Sequence, residues 1–112
     1  MTSKDVEMVE DDKLRAAHDS EEGNYNCTYS FNGEDHTLGN LLRYVLMKDP
    51  ETMFSGYSVP HPSEDVMNVR LQTHTMKTDR VLNKAFGRIS KMCDILTDKY
   101  TSALNDYDQE NN

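Results

Sequence analysis

The sequence predicts an α+β domain in which an antiparallel sheet of about four strands carries two helices on one face, in the order ββαββα. Two segments alternate between large and polar side chains, which is typical of strands with one buried face. The buried positions of these two strands are Tyr25, Cys27, Tyr29, Phe31 and Met67, Val69, Leu71, Thr73. Two further segments have helical spacing, and together the four patterns predict the fold class.

The remaining strands have weaker patterns. We expect 13–18 to form a short first strand that pairs with 24–32 as a hairpin, and 53–59 to form a strand that contains Gly56. Pro60 and Pro62 have no N–H to donate to a sheet, so we expect the sheet pairing to be interrupted there.

The first helix is predicted from apolar residues at positions i, i+3, i+4, i+7 and i+8. These are Leu38, Leu41, Leu42, Val45 and Leu46. Thr37 is the expected N-cap, and Asp49-Pro50 is expected to end the helix because proline disfavours the α conformation in the residue before it.

The second helix is predicted to run from an N-cap at Asp79 to about Asn105. Its apolar residues recur at alternating spacings of four and three, which is the pattern of a coiled-coil seam. They are Leu82, Phe86, Ile89, Cys93, Leu96, Tyr100, Ala103 and Tyr107. At about 1.5 Å per residue this helix is longer than a small domain is wide, so the sequence predicts a partner for its far end.

The charge distribution predicts the domain boundaries. The 112 residues carry a formal net charge of −8, but 24–105 contain nine acidic and nine basic residues. The excess of acid therefore lies at the two ends, and we expect a disordered acidic tail over 1–12, one domain over 13–105 and an acidic C-terminal tail over 106–112. An acidic chain is poorly suited to bind nucleic acid on its own, and no apolar run approaches the roughly 20 residues of a membrane span.

No enzymatic or metal-binding pattern stands out. The four histidines have neither the mutual spacing nor the cysteine neighbours of a zinc site, and no glycine-rich phosphate loop occurs. The run Glu34-Asp35-His36-Thr37 is interpreted as a helix N-terminus rather than a catalytic cluster. We therefore expect no catalytic residue, cofactor or metal, and we interpret Cys27 and Cys93 as reduced, packed thiols of an intracellular protein.

Three segments, 34–43, 54–63 and 68–73, carry a set of linked motifs. Their motif residues are Glu34, Asp35, His36, Thr37, Leu38, Gly39, Asn40, Arg43, Gly56, Tyr57, Pro60, His61, Pro62, Arg70, Gln72 and Thr73. Together these segments resemble the small α-like subunits of DNA-directed RNA polymerases, a group that includes archaeal subunit L and, more distantly, the dimerisation domain of the bacterial α subunit. The likeness extends over about 13–105, although Leu14-Arg15-Ala16-Ala17 is less apolar than the family's first strand.

Within that family, the Pro60-His61-Pro62 run and the acidic N-terminal extension are most like the subunit shared by RNA polymerases I and III. This resemblance implies a role in the synthesis of ribosomal RNA precursor, 5S rRNA and tRNA. It also implies a location in the nucleus, including the nucleolus.

The resemblance further implies a non-catalytic subunit that pairs with a larger α-like subunit, and the heterodimer is the platform on which the large catalytic subunits assemble. As a hypothesis, the partner interface consists of Leu38, Gly39, Leu41, Leu42 and Val45 on the first helix and Leu82, Phe86, Ile89, Cys93, Leu96 and Tyr100 on the second. Gly39 would permit close approach of the partner helix. Arg43 and the pair Asp35/His36 have two interpretations, as contacts to a large subunit or as stabilisers of the helix end.

Three alternatives stay open at this point. They are the equivalent subunit of RNA polymerase II or of an archaeal polymerase, a homodimeric interaction module unrelated to transcription, and a small enzyme domain that uses Asp35, His36 and Thr37.

Overall fold

The computed structural model describes residues 13–19 and 24–111, and it confirms the predicted order ββαββα. The elements are β1 (Leu14–His18), β2 (Asn26–Asn32), α1 (His36–Met47), β3 (Thr52–Ser58), β4 (Val66–Thr73) and α2 (Thr78–Glu110). The predicted acidic tail over 1–12 lies outside the described residues.

The four strands form one antiparallel sheet in the order β1-β2-β4-β3. Tyr29 in β2 lies opposite Ala16 of β1 on one side and Val69 of β4 on the other. The two strands with the clearest alternation in the sequence, β2 and β4, are therefore the two central strands. The weaker patterns belong to the edge strands, β1 and β3.

The core lies between the sheet and the two helices, which pack on the same face. The residues that β2 and β4 bury are Cys27, Tyr29, Phe31, Met67, Val69, Leu71 and Thr73, as predicted. The helices contribute Leu42, Val45, Leu46, Val81, Leu82 and Ala85. Tyr25 lies just beyond the start of β2 and is 36% exposed, so the predicted row of buried residues ends at Cys27.

The N-cap of α1 is Asp35, and the prediction of Thr37 is wrong. The Asp35 carboxylate accepts a hydrogen bond of 3.0 Å from the backbone N–H of Thr37. Aspartate and threonine both cap helices well, and residue preference alone did not separate two candidates two positions apart. The predicted end is confirmed, because α1 stops at Met47, shortly before Pro50.

Helix α2 differs from its prediction at both ends. It begins at Thr78 after Lys77, which provides no side-chain cap, so the prediction of Asp79 as N-cap is wrong. The predicted end near Asn105 is also wrong, because the helix continues to Glu110. No glycine or proline follows Gly87 in the chain to stop it. The 33 residues of α2 correspond to a length of about 50 Å.

The predicted division of the chain into one domain over 13–105 and two acidic tails stays a prediction.

Candidate protein–protein interface

Two carboxylates in the connection between α1 and β3 fix the position of α2 beside α1. Asp49 is only 5% exposed. It accepts a hydrogen bond of 2.9 Å from the backbone N–H of Glu51 and lies 3.1 Å from Nζ of Lys84 on α2. Burial opposes ionisation, but the Glu51 N–H and the Lys84 ammonium outweigh it and lower the pKa of Asp49. The ion pair therefore persists at neutral pH and connects the end of α1 to α2.

Glu51 holds the segment that leads into α2. Its Oε1 atom accepts hydrogen bonds of 3.0 and 2.9 Å from the backbone N–H groups of Thr75 and Met76. These two hydrogen bonds lower the pKa of Glu51 below its usual value. The direction in which α2 leaves the sheet is thus set by side-chain contacts to the loop before it.

An open apolar groove of about 460 Å³ lies along α2 where Leu41 of α1 approaches it. The groove is lined by Leu41, Ile89, Met92, Cys93, Ile95, Leu96 and Lys99. Sequence reasoning missed Ile95, which belongs to a second apolar row beside the seam, at a spacing of three from Met92. This row widens the exposed apolar surface of α2.

Beyond the groove, no element within 13–19 or 24–111 covers α2. Every described residue from 90 to 111 is exposed. Leu96 is 69%, Tyr100 66% and Tyr107 62% exposed, which are large values for apolar and aromatic side chains. We refer to Cys93, Leu96, Tyr100, Ala103 and Tyr107 as the distal seam. A contiguous apolar surface of this kind is typical of protein interaction sites.

The structure separates the predicted interface residues into two groups. The first group is inside this chain's own core, where no partner side chain can reach, and consists of Gly39, Leu42, Val45 and Leu82. The second group is half-buried or exposed at the groove and along the distal seam, and consists of Leu38, Leu41, Phe86, Ile89, Cys93, Leu96 and Tyr100. Cys93 is an exposed thiol, so the expectation that it is packed is wrong, whereas Cys27 is buried as expected.

Gly39 is required by a contact within this chain, and the hypothesis that it admits a partner helix is not supported by its position. A Cβ atom at Gly39 would lie 2.5 Å from Cδ2 of Tyr57 and 2.6 Å from Sδ of Met67. The glycine therefore lets α1 lie directly on β3 and β4. Tyr57 is held there by His36, whose Nδ1 is 3.0 Å from the tyrosine hydroxyl.

Three further motif residues, Arg43, Arg70 and Thr73, have hydrogen-bond partners within this chain. Arg43 donates a hydrogen bond of 2.6 Å to Asn40 one turn earlier on α1. Arg70 binds Asp19 and donates to Thr28 across the outer face of the sheet, and the Thr73 hydroxyl donates to the carbonyl of Met76. The run 60–62 is exposed in the connection between β3 and β4, which confirms the expected break in the sheet. Gln72 lies opposite Asn26 and Phe54 within the sheet.

The acid–base cluster at the start of α1 does not converge on one point. The Asp35 carboxylate faces the backbone of Thr37, whereas the His36 ring faces Tyr57. In the part of the chain that the structure describes, no group of three or more His, Cys, Asp or Glu is placed to hold a metal ion. These positions favour the interpretation of this segment as a helix N-terminus.

Neither helix, over the described residues, combines the length and the apolar character needed to cross a membrane.

A small α+β fold with an exposed apolar seam on a long helix is the class of protein that binds another protein chain. Residues 26–99 match the family model described as the RNA polymerase Rpb3/Rpb11 dimerisation domain. That match covers more than half of the sequence, and this chain belongs to that family.

Two curated relatives are named as subunits of DNA-directed RNA polymerases I and III. The chain is 51% identical over 78 residues to "DNA-directed RNA polymerases I and III subunit RPAC2" of Schizosaccharomyces pombe, covering 69% of this chain and 62% of the relative. It is 43% identical over 94 residues to the protein of the same name from Saccharomyces cerevisiae, covering 82% and 65%. The chain thus spans less than two thirds of the length of these two relatives.

Among solved structures, DNA-directed RNA polymerase subunit L from Thermoplasma acidophilum superposes with a TM-score of 0.71. The two share 23% sequence identity, and the superposition covers 86% of this chain and 92% of subunit L. This likeness confirms the predicted fold.

Proposed function

We propose that this chain is a non-catalytic assembly subunit of DNA-directed RNA polymerases I and III. In this role it pairs with the larger α-like subunit, and the heterodimer forms the platform for the large catalytic subunits. The relatives named as subunits of polymerases I and III support the type of polymerase. The same role places the protein in the nucleus, including the nucleolus.

The observation that carries the proposal is the contrast between the two halves of α2. The first half buries Val81, Leu82 and Ala85 against the sheet, whereas Leu96 and Tyr100 in the second half are more than 60% exposed. Burial of apolar surface stabilises by about 25 cal/mol per Å², so this surface favours a complex over the free chain. An assembly subunit requires such a surface.

The groove between α1 and α2 extends the interface toward the body of the domain. Leu41 is 37% exposed on α1 and lines this groove together with Ile89 and Leu96 of α2. A helix of the larger subunit that enters the groove would therefore contact both helices of this chain. The core residues Leu42, Val45 and Leu82 support this surface from beneath and do not form it.

The experiment is affinity purification of the tagged full chain from cells, followed by mass spectrometry. The proposal predicts recovery of the larger α-like subunit together with the largest subunits of both polymerases I and III. Recovery of the polymerase II subunits alone would instead assign the chain to that polymerase. Recovery of no polymerase subunit would contradict the proposal.

A second purification uses a variant of the distal seam and tests whether this surface binds the larger subunit. Leu96→Asp/Tyr100→Asp places two charges on the exposed seam without altering the buried core, so the variant should fold and yet recover less of the larger subunit. Circular dichroism of the purified variant checks that the helix content is retained.

A further inference from the structure

The first half of α2 carries a basic face. Residues 80–93 contain four basic residues and no acidic one. Their spacings of four, four and three place them on one side of the helix, away from the side that buries Leu82 against the sheet. All four are exposed. We refer to them as the basic face, and they are Arg80, Lys84, Arg88 and Lys91.

Most of this positive charge has no acidic partner among the residues that the structure describes. Lys84 forms the ion pair with Asp49. Arg80, Arg88 and Lys91 lie within ion-pair distance of no described carboxylate. A cluster of like charges attracts segments of the opposite sign, so the basic face is suited to bind an acidic stretch of polypeptide.

The first twelve residues of this chain are such a stretch. They contain five acidic residues against one basic residue, which gives a net charge of −4. Because 24–105 contain equal numbers of acids and bases, this excess is confined to the end of the chain. The acids are Asp5, Glu7, Glu10, Asp11 and Asp12, and the base is Lys4.

This acidic segment is attached to the fold beside α2. Leu14, the first residue of β1, lies opposite Phe31 of β2. The centroid of the Phe31 ring is 6.2 Å from that of the Phe86 ring on α2. Residues 1–12 are therefore joined to the domain next to the turn of α2 that also carries Arg88.

The path from this point to the basic face is short. Half the circumference of a helix about 11 Å wide is about 17 Å. An extended chain spans about 3.4 Å per residue, so the six residues from Lys13 back to Glu7 cover about 20 Å. Asp5 and Glu7 can therefore reach Arg88 and Lys91.

We propose that the acidic segment 1–12 binds the basic face of α2 in the same chain, with Asp5 and Glu7 beside Arg88 and Lys91. Exposed ion pairs are individually weak, but attachment to the same chain gives the segment an effective concentration on the order of millimolar. The segment thereby covers a surface that otherwise attracts polyanions such as nucleic acid.

This contact is independent of the proposed complex with the larger subunit. The distal seam and the basic face have no residue in common. The segment can therefore stay bound while the larger subunit occupies the seam, and the failure of either proposal leaves the other intact.

The first test locates the segment by paramagnetic broadening in nuclear magnetic resonance spectra of the full chain. A nitroxide label is placed on Ser3→Cys in a chain that also carries Cys93→Ser, because Cys93 is exposed and Cys27 is buried. At low salt we expect the amide signals of 84–91 to lose at least half of their intensity. They should recover at high salt, which screens exposed charges. Signals that keep their full intensity at low salt would overturn the proposal.

Two comparisons separate binding from mere proximity of the label. Asp5→Asn/Glu7→Gln keeps the length of the segment and removes two charges, so most of the lost intensity should return. Arg88→Glu should have the same effect. Lys99→Glu makes an equal change of charge outside the basic face and should leave the broadening as in wild type. Broadening that is the same in all three variants would contradict the proposal.

The second test measures competition with a polyanion, a fluorescein-labelled DNA duplex, by fluorescence anisotropy at low salt. Neutralising three acids of the segment should tighten DNA binding by roughly tenfold, because the basic face becomes accessible. The variant is Asp5→Asn/Glu7→Gln/Glu10→Gln.

The matched control for the DNA measurement neutralises three acids at the other end of the chain. It has the same net charge but leaves the acidic segment intact, so it should tighten DNA binding much less. Equal tightening in the two variants would show an effect of net charge alone and would contradict the proposal. The control variant is Asp106→Asn/Asp108→Asn/Glu110→Gln.

Discussion

The hydroxyl of Tyr29 donates a hydrogen bond of 2.5 Å to Oδ1 of Asp79 and thereby joins the centre of the sheet to the first turn of α2. Tyr29 is fully buried. Burial, reinforced by the adjacent Asp79 carboxylate, raises the pKa of Tyr29 far above its usual value. The hydroxyl therefore stays protonated and remains a donor. His18 of β1 also faces Asp79, at 3.5 Å from Nε2 to Oδ1, so three elements meet at this carboxylate.

Tyr29→Phe removes the donor and keeps the ring. We expect the free energy of unfolding to fall by about 1–2 kcal/mol, because a hydrogen bond to a charged acceptor is lost. Chemical denaturation monitored by circular dichroism measures the free energy of unfolding of both proteins. The matched control is Tyr25→Phe at the exposed end of the same alternating row, which should change stability little. Equal losses in the two variants would contradict a special role for the contact with Asp79.

Gly39→Ala tests the close packing of α1 on the sheet. The new Cβ would lie 2.5 Å from Tyr57 Cδ2 and 2.6 Å from Met67 Sδ. We expect this overpacking to reduce the free energy of unfolding by about 1–3 kcal/mol, despite the better helix propensity of alanine.

The control for Gly39→Ala is the same substitution at Gly87. A Cβ at Gly87 meets no atom within 4 Å, so Gly87→Ala should raise thermal stability, by about 0.5–1 kcal/mol. If both glycine variants were stabilised, the close approach at Gly39 would be disproved.

Leu42 and Leu96 separate stability from partner binding. Leu42 is 0% exposed and Leu96 is 69% exposed. Leu42→Ala should lower the free energy of unfolding of the isolated chain by about 2–5 kcal/mol. Leu96→Ala should leave that stability nearly unchanged and weaken the complex with the larger subunit. The two measurements are thermal unfolding and binding by calorimetry, and a large loss of stability in Leu96→Ala would contradict the exposed position of its side chain.

Glu51 makes the loop before α2 sensitive to acid. Its pKa is lowered from 4.5 by the backbone N–H groups of Thr75 and Met76, so the folded state binds this proton more weakly than the unfolded state does. The contribution of Glu51 to stability is therefore complete above 4.5 and is lost as the pH falls through the lower folded value. Glu51→Gln removes this titration.

The measurement for Glu51 is the melting temperature of both proteins as a function of pH. The difference between wild type and Glu51→Gln should be largest near neutral pH and should shrink below 4.5. A difference that stays constant down to strongly acidic pH would show that the carboxylate makes no charge-dependent contribution.

The sequence predicted the fold where one physical signal dominated. The alternation around Tyr29 and Val69 identified the two central strands, because both strands have one buried face over their whole length. The helical spacing around Leu42 was equally clear. The helix ends were less predictable, since Asp35 and Thr37 are both good caps and only the path of the chain decides between them.

The candidate interface was predicted only in part, for a related reason. Helical spacing identifies an apolar face but does not say whether the domain itself covers it. Leu82 and Leu96 belong to one seam, yet the sheet reaches the first and not the second. The role of Gly39 depends on Tyr57 and Met67, which are distant in sequence and meet it only in the folded chain.

The central claim is that the distal seam binds the larger α-like subunit, and the affinity of that complex tests it most directly. Titration calorimetry should compare wild type with Leu96→Ser/Tyr100→Ser, which alters the seam, and with Asp98→Ser/Asn105→Ser, which alters the opposite side of α2. We expect the control to bind as wild type does and the seam variant to lose most of its affinity. Equal affinity of the seam variant and wild type would contradict the account.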